Sequence, residues 1–302
     1  MSALFHALFA RGLFSNPAVH TAAIVGALAA ISASVAGVFT VMRGQSFAGH
    51  ALGDLGAAGG SAAALLGISP LVGFVGIGAV AAVAMSTLGS HGRRDRDVAT
   101  GVVLGAGLGV TGLLLYLDTT HSSTTGAAVS VMFGSMFAVA PSTLPAVVAA
   151  TGFLALCLGA LYRPLLLSSV MSELAAVQGV RVALVEASFL GVLVVAVALS
   201  ALTVGAVLAT ALLIGPAATA IRLARSPGTA ILVAAAIGVG STWMAIILAY
   251  DSYYWSASHS GWPVSFFVVS LIFVAYLVAE LLSSVGSRLA THRDPSVSRT
   301  LS

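Results

Sequence analysis

Residues 183–221 read ALVEASFLGVLVVAVALSALTVGAVLATALLIGPAATAI, a run in which Glu186 is the one charged residue. An α-helix needs ~20 apolar residues to cross the hydrocarbon of a bilayer, so this run is long enough for two crossings. It is uniformly apolar rather than alternating, which excludes barrel strands. In lipid every backbone group must be paired within its own segment, and here only helices achieve that. The run reads either as two spans joined by a tight outer turn or as one span followed by a re-entrant segment.

The same character extends along the chain. Of its 302 residues 59% are hydrophobic and 7% charged, where ordinary soluble domains carry roughly 25% charged residues. Candidate spans fall at about 18–41, 47–66, 69–89, 98–117, 142–162, 183–201, 203–221, 228–250 and 264–283. The expected fold is all-α: a polytopic membrane protein of eight or nine transmembrane helices with a short cytoplasmic coupling helix. One transmembrane domain at 18–283 is expected, between an extracytoplasmic N-terminal segment (1–17) and a cytoplasmic tail (284–302). Segment 128–140, AVSVMFGSMFAVA, is too short to cross unaided and reads as an interfacial or half-membrane helix.

All twelve basic residues are arginine. A P-loop requires a lysine after its glycine run to reach the nucleotide phosphates, so a chain without lysine is not itself a P-loop ATPase. The arginines sit at span ends: SHGRRDRD (90–97), Arg163, Arg181, Arg222, Arg225, Arg288, Arg293 and Arg299 fall on one side if nine spans alternate. The positive-inside bias makes that side the cytoplasm and explains the arginines better than nucleic-acid binding. Arg43 agrees, Arg11 does not, and the N-terminus lies outside. The opposite loops, DTTHSSTTGA (118–127) and DSYYWSASHSGW (251–262), hold no arginine. Asp118, His121, Asp251 and His259 in them are expected to be solvated, although such groups can also pass a cation inward. The lone Cys157 forms no internal disulfide.

Against this background FAGHALGDLGAAGG (47–60) stands out, because His50 and Asp54 are four apart and share one helix face. Ser46, Ala57, Ala58 and Ser61 continue that face, with Leu52 and Leu55 opposite. An ionisable residue within hydrocarbon costs ~2.5–3.5 kcal/mol on insertion scales and generally faces a bundle interior or an aqueous path. Imidazole plus carboxylate suits borderline divalent ions such as zinc, iron or manganese. Two ligands are too few for a tight site, but a symmetric dimer doubles them to four. The pair can also be read as packing, each group satisfying the other. Glu186, near the start of its span, reads as an interfacial or packing acid.

On the arginine-rich side, SELAAVQG (172–179) is compatible with a short helix that Ser172 caps, Glu173 favours in its first turn and Gly179 terminates. It is placed to dock on a soluble partner or to lie on lipid.

Together these segments resemble the permease subunit of bacterial ABC importers for zinc, manganese and related metals, from about Val38 to Leu282. VMRGQSFAGHALGDLGAAGG (41–60) is similar to the family's arginine turn followed by a helix with an acid and a histidine four apart. VMFGSMFAVAPSTL (131–144) is similar to the family's LFG-LLAV-P-DL segment, and MSELAAVQGV (171–180) resembles its coupling-helix pattern. VGAVLATALLIGPAATA (204–220) resembles its most specific block. Two departures stand out: His50 precedes Asp54 where the family commonly has the acid first, and Trp262 separates a glycine and a proline usually adjacent.

The resemblance implies a homodimeric, multi-pass permease of the bacterial inner membrane, without catalytic residues or a permanently bound cofactor. It implies a transported zinc or manganese ion, or iron, with His50 and Asp54 as metal ligands. Ser172, Glu173, Ala176 and Gly179 would contact a separate cytoplasmic ABC ATPase, and an extracytoplasmic metal-binding protein would deliver the cargo. Ser46, Pro216 and His259 are candidate pathway or gate residues. Rival readings are an ABC permease for an iron chelate or corrinoid, an ion-coupled secondary transporter, and, least supported, an intramembrane aspartyl protease using Asp54 and Asp251.

Overall fold

A computed structural model describes residues 16–89, 93–122, 131–134, 136–170, 178–179, 181–255 and 261–293. Among them are nine helices of fifteen residues or more: α1 (Pro17–Met42), α2 (Ser46–Leu66), α3 (Pro70–Leu88), α4 (Arg93–Ser122), α5 (Leu144–Val170), α6 (Val182–Val204), α7 (Ala209–Leu223), α8 (Pro227–Trp255) and α9 (Val264–Arg293). The expected starts are met where local chemistry sets them. Asn16 accepts from the Ala18 N–H ahead of Pro17, and prolines open α3 and α8, where the missing N–H costs nothing.

Seven of the nine helices are long and apolar enough to cross a membrane on their own. The other two are α2, which is long enough but carries His50, Asp54 and many glycines, and α7, which is apolar but has only 15 residues. At 1.5 Å per residue α7 is about 22 Å long, short of the ~30 Å hydrocarbon. The run 183–221 is therefore a full span followed by a short helix.

α6 is the hub. It packs against α1, α2, α3, α5 and α7, and its buried Phe189, Leu193 and Leu199 share a core with Phe39, Leu52, Leu212 and Leu213. Close approach of α2 to α3 depends on paired glycines, since a Cβ on Gly59 would meet the Gly73 backbone. Within GVVLGAGLGVTG (101–112), by contrast, only Gly107 lies against a neighbour, Leu55, while Gly101, Gly105, Gly109 and Gly112 face open space.

The break between α6 and α7 is built by tertiary pairing. The N–H groups of Ala206 and Val207 donate to the carbonyls of Val131 and Met132 at 3.1 and 3.2 Å. Gly134 (φ +71°) and Gly205 (φ +97°) meet there backbone to backbone, and a Cβ on Gly134 would lie 2.5 Å from the Gly205 nitrogen. Irregular backbone at membrane depth is tolerated where protein satisfies it, and these bonds do so. The half-membrane helix expected over 128–140 is accordingly not continuous where described. Residues 131–133 are helical, then Gly134 turns the chain into 3₁₀ turns at Met136–Ala138 and Pro141–Thr143.

The arginine-bearing ends cluster at one end of the bundle. Arg43, just past α1, donates to Ser168 Oγ near the end of α5 (2.6 Å) and stacks over Phe189 of α6 (5.6 Å). Arg96 of α4 pairs with Glu186 of α6 at 2.9 Å, and Gln45 donates to the same carboxylate at 3.0 Å. Arg222 of α7 pairs with Glu280 and donates to the Tyr276 hydroxyl (2.9 Å) of α9. Glu186 is thus an ion-pairing acid between helices.

At the other end the loop acids are not solvated as expected: Asp118 is 1% and Asp251 2% exposed. α4 and α8 run past the anticipated span ends at 117 and 250, so both acids lie within helix and are packed by neighbours. Trp262 stacks on Phe267 (centroids 6.0 Å) and donates its backbone N–H to Ser252 Oγ (2.8 Å).

Candidate metal site

His50 and Asp54 lie in the first half of α2, with His50 five residues after Gln45, which ends the turn out of α1. Their spacing does what the sequence implies: His50 Nε2 and Asp54 Oδ2 are 3.6 Å apart. Two metal bonds of ~2.1 Å meeting at a tetrahedral angle separate their donor atoms by about 3.4 Å. The two side chains therefore already stand at nearly the bite one ion needs.

The pair faces outward from the single chain, with the His50 side chain 46% and the Asp54 side chain 17% exposed. The expected polar face is shorter than its sequence: Ser46 is half-buried beside the pair, but Ala57, Ala58 and Ser61 are buried against neighbouring helices. In the first half of α2 the open strip is thus Phe47, His50 and part of Asp54.

α7 closes one side of the strip. Gly49 and Gly53, four apart, present no side chains towards it, and a Cβ on them would meet Leu213 and the Thr210 hydroxyl. That clearance lets Thr210 in the first turn of α7 approach His50, with Thr210 Oγ1 3.1 Å from Nδ1. Thr210 was not singled out by sequence. It is one hydroxyl in an apolar run 160 residues from His50, and nothing local says which helix it faces.

The remaining candidates are not brought together. Pro216 is buried inside α7, six residues after Thr210 and so about a third of a turn around the helix. His259, Ser172, Glu173 and Ala176, and with them the short helix expected at 172–179 save its last two residues, lie outside the described residues; Gly179 is exposed, with φ +80°. Among the described residues no group of three or more His, Cys, Asp or Glu side chains is placed to hold a metal. One chain thus supplies two donors, and any fuller coordination shell needs further ligands.

A second polar region sits at the arginine end, where Arg43, Gln45, Phe47, Arg96, Thr100 and Glu186 line a cavity of about 260 Å³. Burial pulls the Arg43 guanidinium below its ordinary pKa, opposed by the Glu186 carboxylate. Phe47 lines both this cavity and the His50–Asp54 strip, so the two adjoin at the start of α2, and the cavity differs in being lined by Arg43, Arg96 and Glu186.

Residues 15–280 match the model of the ABC 3 transport family. Over 171 residues the chain is 31% identical to the manganese import system permease protein ScaB of Streptococcus parasanguinis, a match covering 56% of this chain and 58% of that protein. Less than two thirds of that relative's length is therefore spanned. Among solved structures it is similar to PsaBC from Streptococcus pneumoniae in complex with Fab, with TM-score 0.76 at 21% identity over 92% of this chain and 95% of that one. It is also similar to a structure described provisionally as an inward-facing metal-chelate type ABC transporter, with TM-score 0.69 at 14% identity over 90% and 88%. At such identities the structural likenesses speak to the fold.

Proposed function

The chain belongs to the ABC 3 transport family, and from that premise we propose that it is the membrane permease of an ATP-driven divalent metal importer, working as a homodimer. Two copies would bring their α2 strips together, so that two imidazoles and two carboxylates hold the ion in transit. ATP would be hydrolysed by a separate cytoplasmic subunit docked on the coupling region 163–182, at Ser172 to Gly179, and an extracytoplasmic protein would deliver the ion at the opposite end. Manganese is the first ion to test, because the relative ScaB is named for manganese import; zinc is the second, because imidazole and carboxylate donors suit it equally.

The observation that carries this reading is the His50–Asp54 pair, at 3.6 Å and on an open face of one chain. Ionisable groups on a lipid-facing surface cost several kcal/mol, so a covered, water-accessible axis between two copies suits them far better. α2 itself is too polar to count among the independent spans, as expected of a helix shielded from lipid in the assembly.

The test is uptake of radiolabelled Mn²⁺ and Zn²⁺ by cells carrying the whole transporter, with His50→Ala and Asp54→Ala compared at matched membrane abundance and matched ATPase assembly. Each substitution is expected to lower uptake at least tenfold. Uptake persisting in both variants would overturn the role of the pair.

A further inference from the structure

We infer that Thr210 is the positioning residue for His50, its hydroxyl holding the imidazole in register in both the ion-free and the ion-bound site; the inference rests on the reading of His50 as a metal ligand. A neutral imidazole has one N–H and one bare nitrogen. When Nε2 binds a cation it must be the bare one, and the proton resides on Nδ1, which then needs an acceptor. When the ion leaves, the proton can return to Nε2, where Asp54 Oδ2 is 3.6 Å away, and Nδ1 then needs a donor. A threonine hydroxyl supplies either, because it both donates and accepts. It sits 3.1 Å from Nδ1.

The surroundings of Thr210 leave its hydroxyl available for this task. Buried threonines elsewhere in the bundle donate to the carbonyl one turn back: Thr40 to Ala36, Thr219 to Gly215 and Thr242 to Gly238. The residue one turn before Thr210 is Ala206, which lies in the non-helical junction, and His50 is the hydroxyl's partner among the described residues. The position of α7 is itself pinned, since Ala206 and Val207 are bonded to Val131 and Met132 while Gly49 and Gly53 leave room for α7 against α2. Partners that orient a ligating histidine typically alter metal affinity or activity by 10–100-fold when removed. A partner able to serve both tautomers suits a waypoint that must bind its ion and then release it.

The experiment measures Mn²⁺ and Zn²⁺ uptake kinetics of the assembled transporter for Thr210→Val, Thr210→Ser and His50→Ala. Valine keeps the shape and removes the hydroxyl; serine keeps the hydroxyl. Thr210→Val is expected to raise KM at least tenfold with the maximal rate per assembled transporter within about twofold, and Thr210→Ser to return KM to within about threefold of the parent. An unchanged KM in Thr210→Val, equal impairment in the serine variant, or a fall in maximal rate alone would each overturn the inference. If His50→Ala retains uptake, the reading of the metal site falls instead. If His50→Ala loses uptake while Thr210→Val keeps its KM, only the role of Thr210 falls.

Discussion

Gly134 and Gly205 meet backbone to backbone with no room for a Cβ on either, and both hold backbone conformations that L side chains avoid. An alanine at position 205 would incur ~1–2 kcal/mol for its positive φ alone, before any displacement of the 131–134 segment it abuts. Gly191, in the middle of α6, faces open space, and alanine there is expected to be neutral or to stabilise by up to ~1 kcal/mol. Thermal unfolding of the detergent-solubilised protein should therefore show Gly205→Ala well below Gly191→Ala; equal midpoints would contradict the crossing. His50 and Asp54 were legible in the sequence because charge is rare here and a spacing of four is a local signal. The Gly134–Gly205 crossing and Thr210 were not, because each depends on two segments that only tertiary packing brings together. Asp118 and Asp251 were misplaced for a related reason: their helices continue beyond the apolar windows, and composition does not mark where a polar residue stops being solvated.

Between elements, the polar cluster at the arginine end ties three helices and a turn together. Glu186 in the second turn of α6 accepts from Arg96 of α4 and from Gln45 of the α1–α2 turn, while Arg43 of that same turn donates to Ser168 of α5. The turn leading into α2 is thus bonded to Ser168 and Glu186, on either side of residues 172–179, the proposed contact with the ATPase. Glu186→Ala would leave two donors without their acceptor in a partly buried place, at a cost of ~1–3 kcal/mol. Arg96 is 38% exposed against 17% for Glu186, so Arg96→Ala lets water replace the lost partner and should cost less. Unfolding midpoints in the order parent, Arg96→Ala, Glu186→Ala are expected; the reverse order of the two variants would mean that Glu186 does not organise the cluster. Helix existence along the chain followed from apolar length. The exception was instructive, since the run 183–221 left its second half ambiguous: α7 is too short to span, and the sequence of α7 does not contain the 131–134 segment that ends α6.

For the molecule as a whole, the two helices that could not cross a bilayer on their own merits are the two that carry the candidate site: His50 and Asp54 on α2, Thr210 on α7. Seven apolar spans around them act as a scaffold that removes the need for these two to satisfy lipid on every side. The scaffold is incomplete on the side of Phe47 and His50, where a single chain leaves a histidine uncovered. A second copy related by a two-fold axis would meet that strip with the same strip, since a two-fold interface pairs like with like. The chain offers a clean way to test this, because Cys157 is its one cysteine. In a Cys157→Ala background, Phe47→Cys is expected to give a covalent dimer on treatment of native membranes with a short bis-maleimide. Val72→Cys, more exposed than Phe47 (60% against 42%) but on α3 away from the strip, should stay monomeric on a non-reducing gel. Cross-linking at position 72 but not at 47 would place the partner on another face, and with it the ion path away from His50.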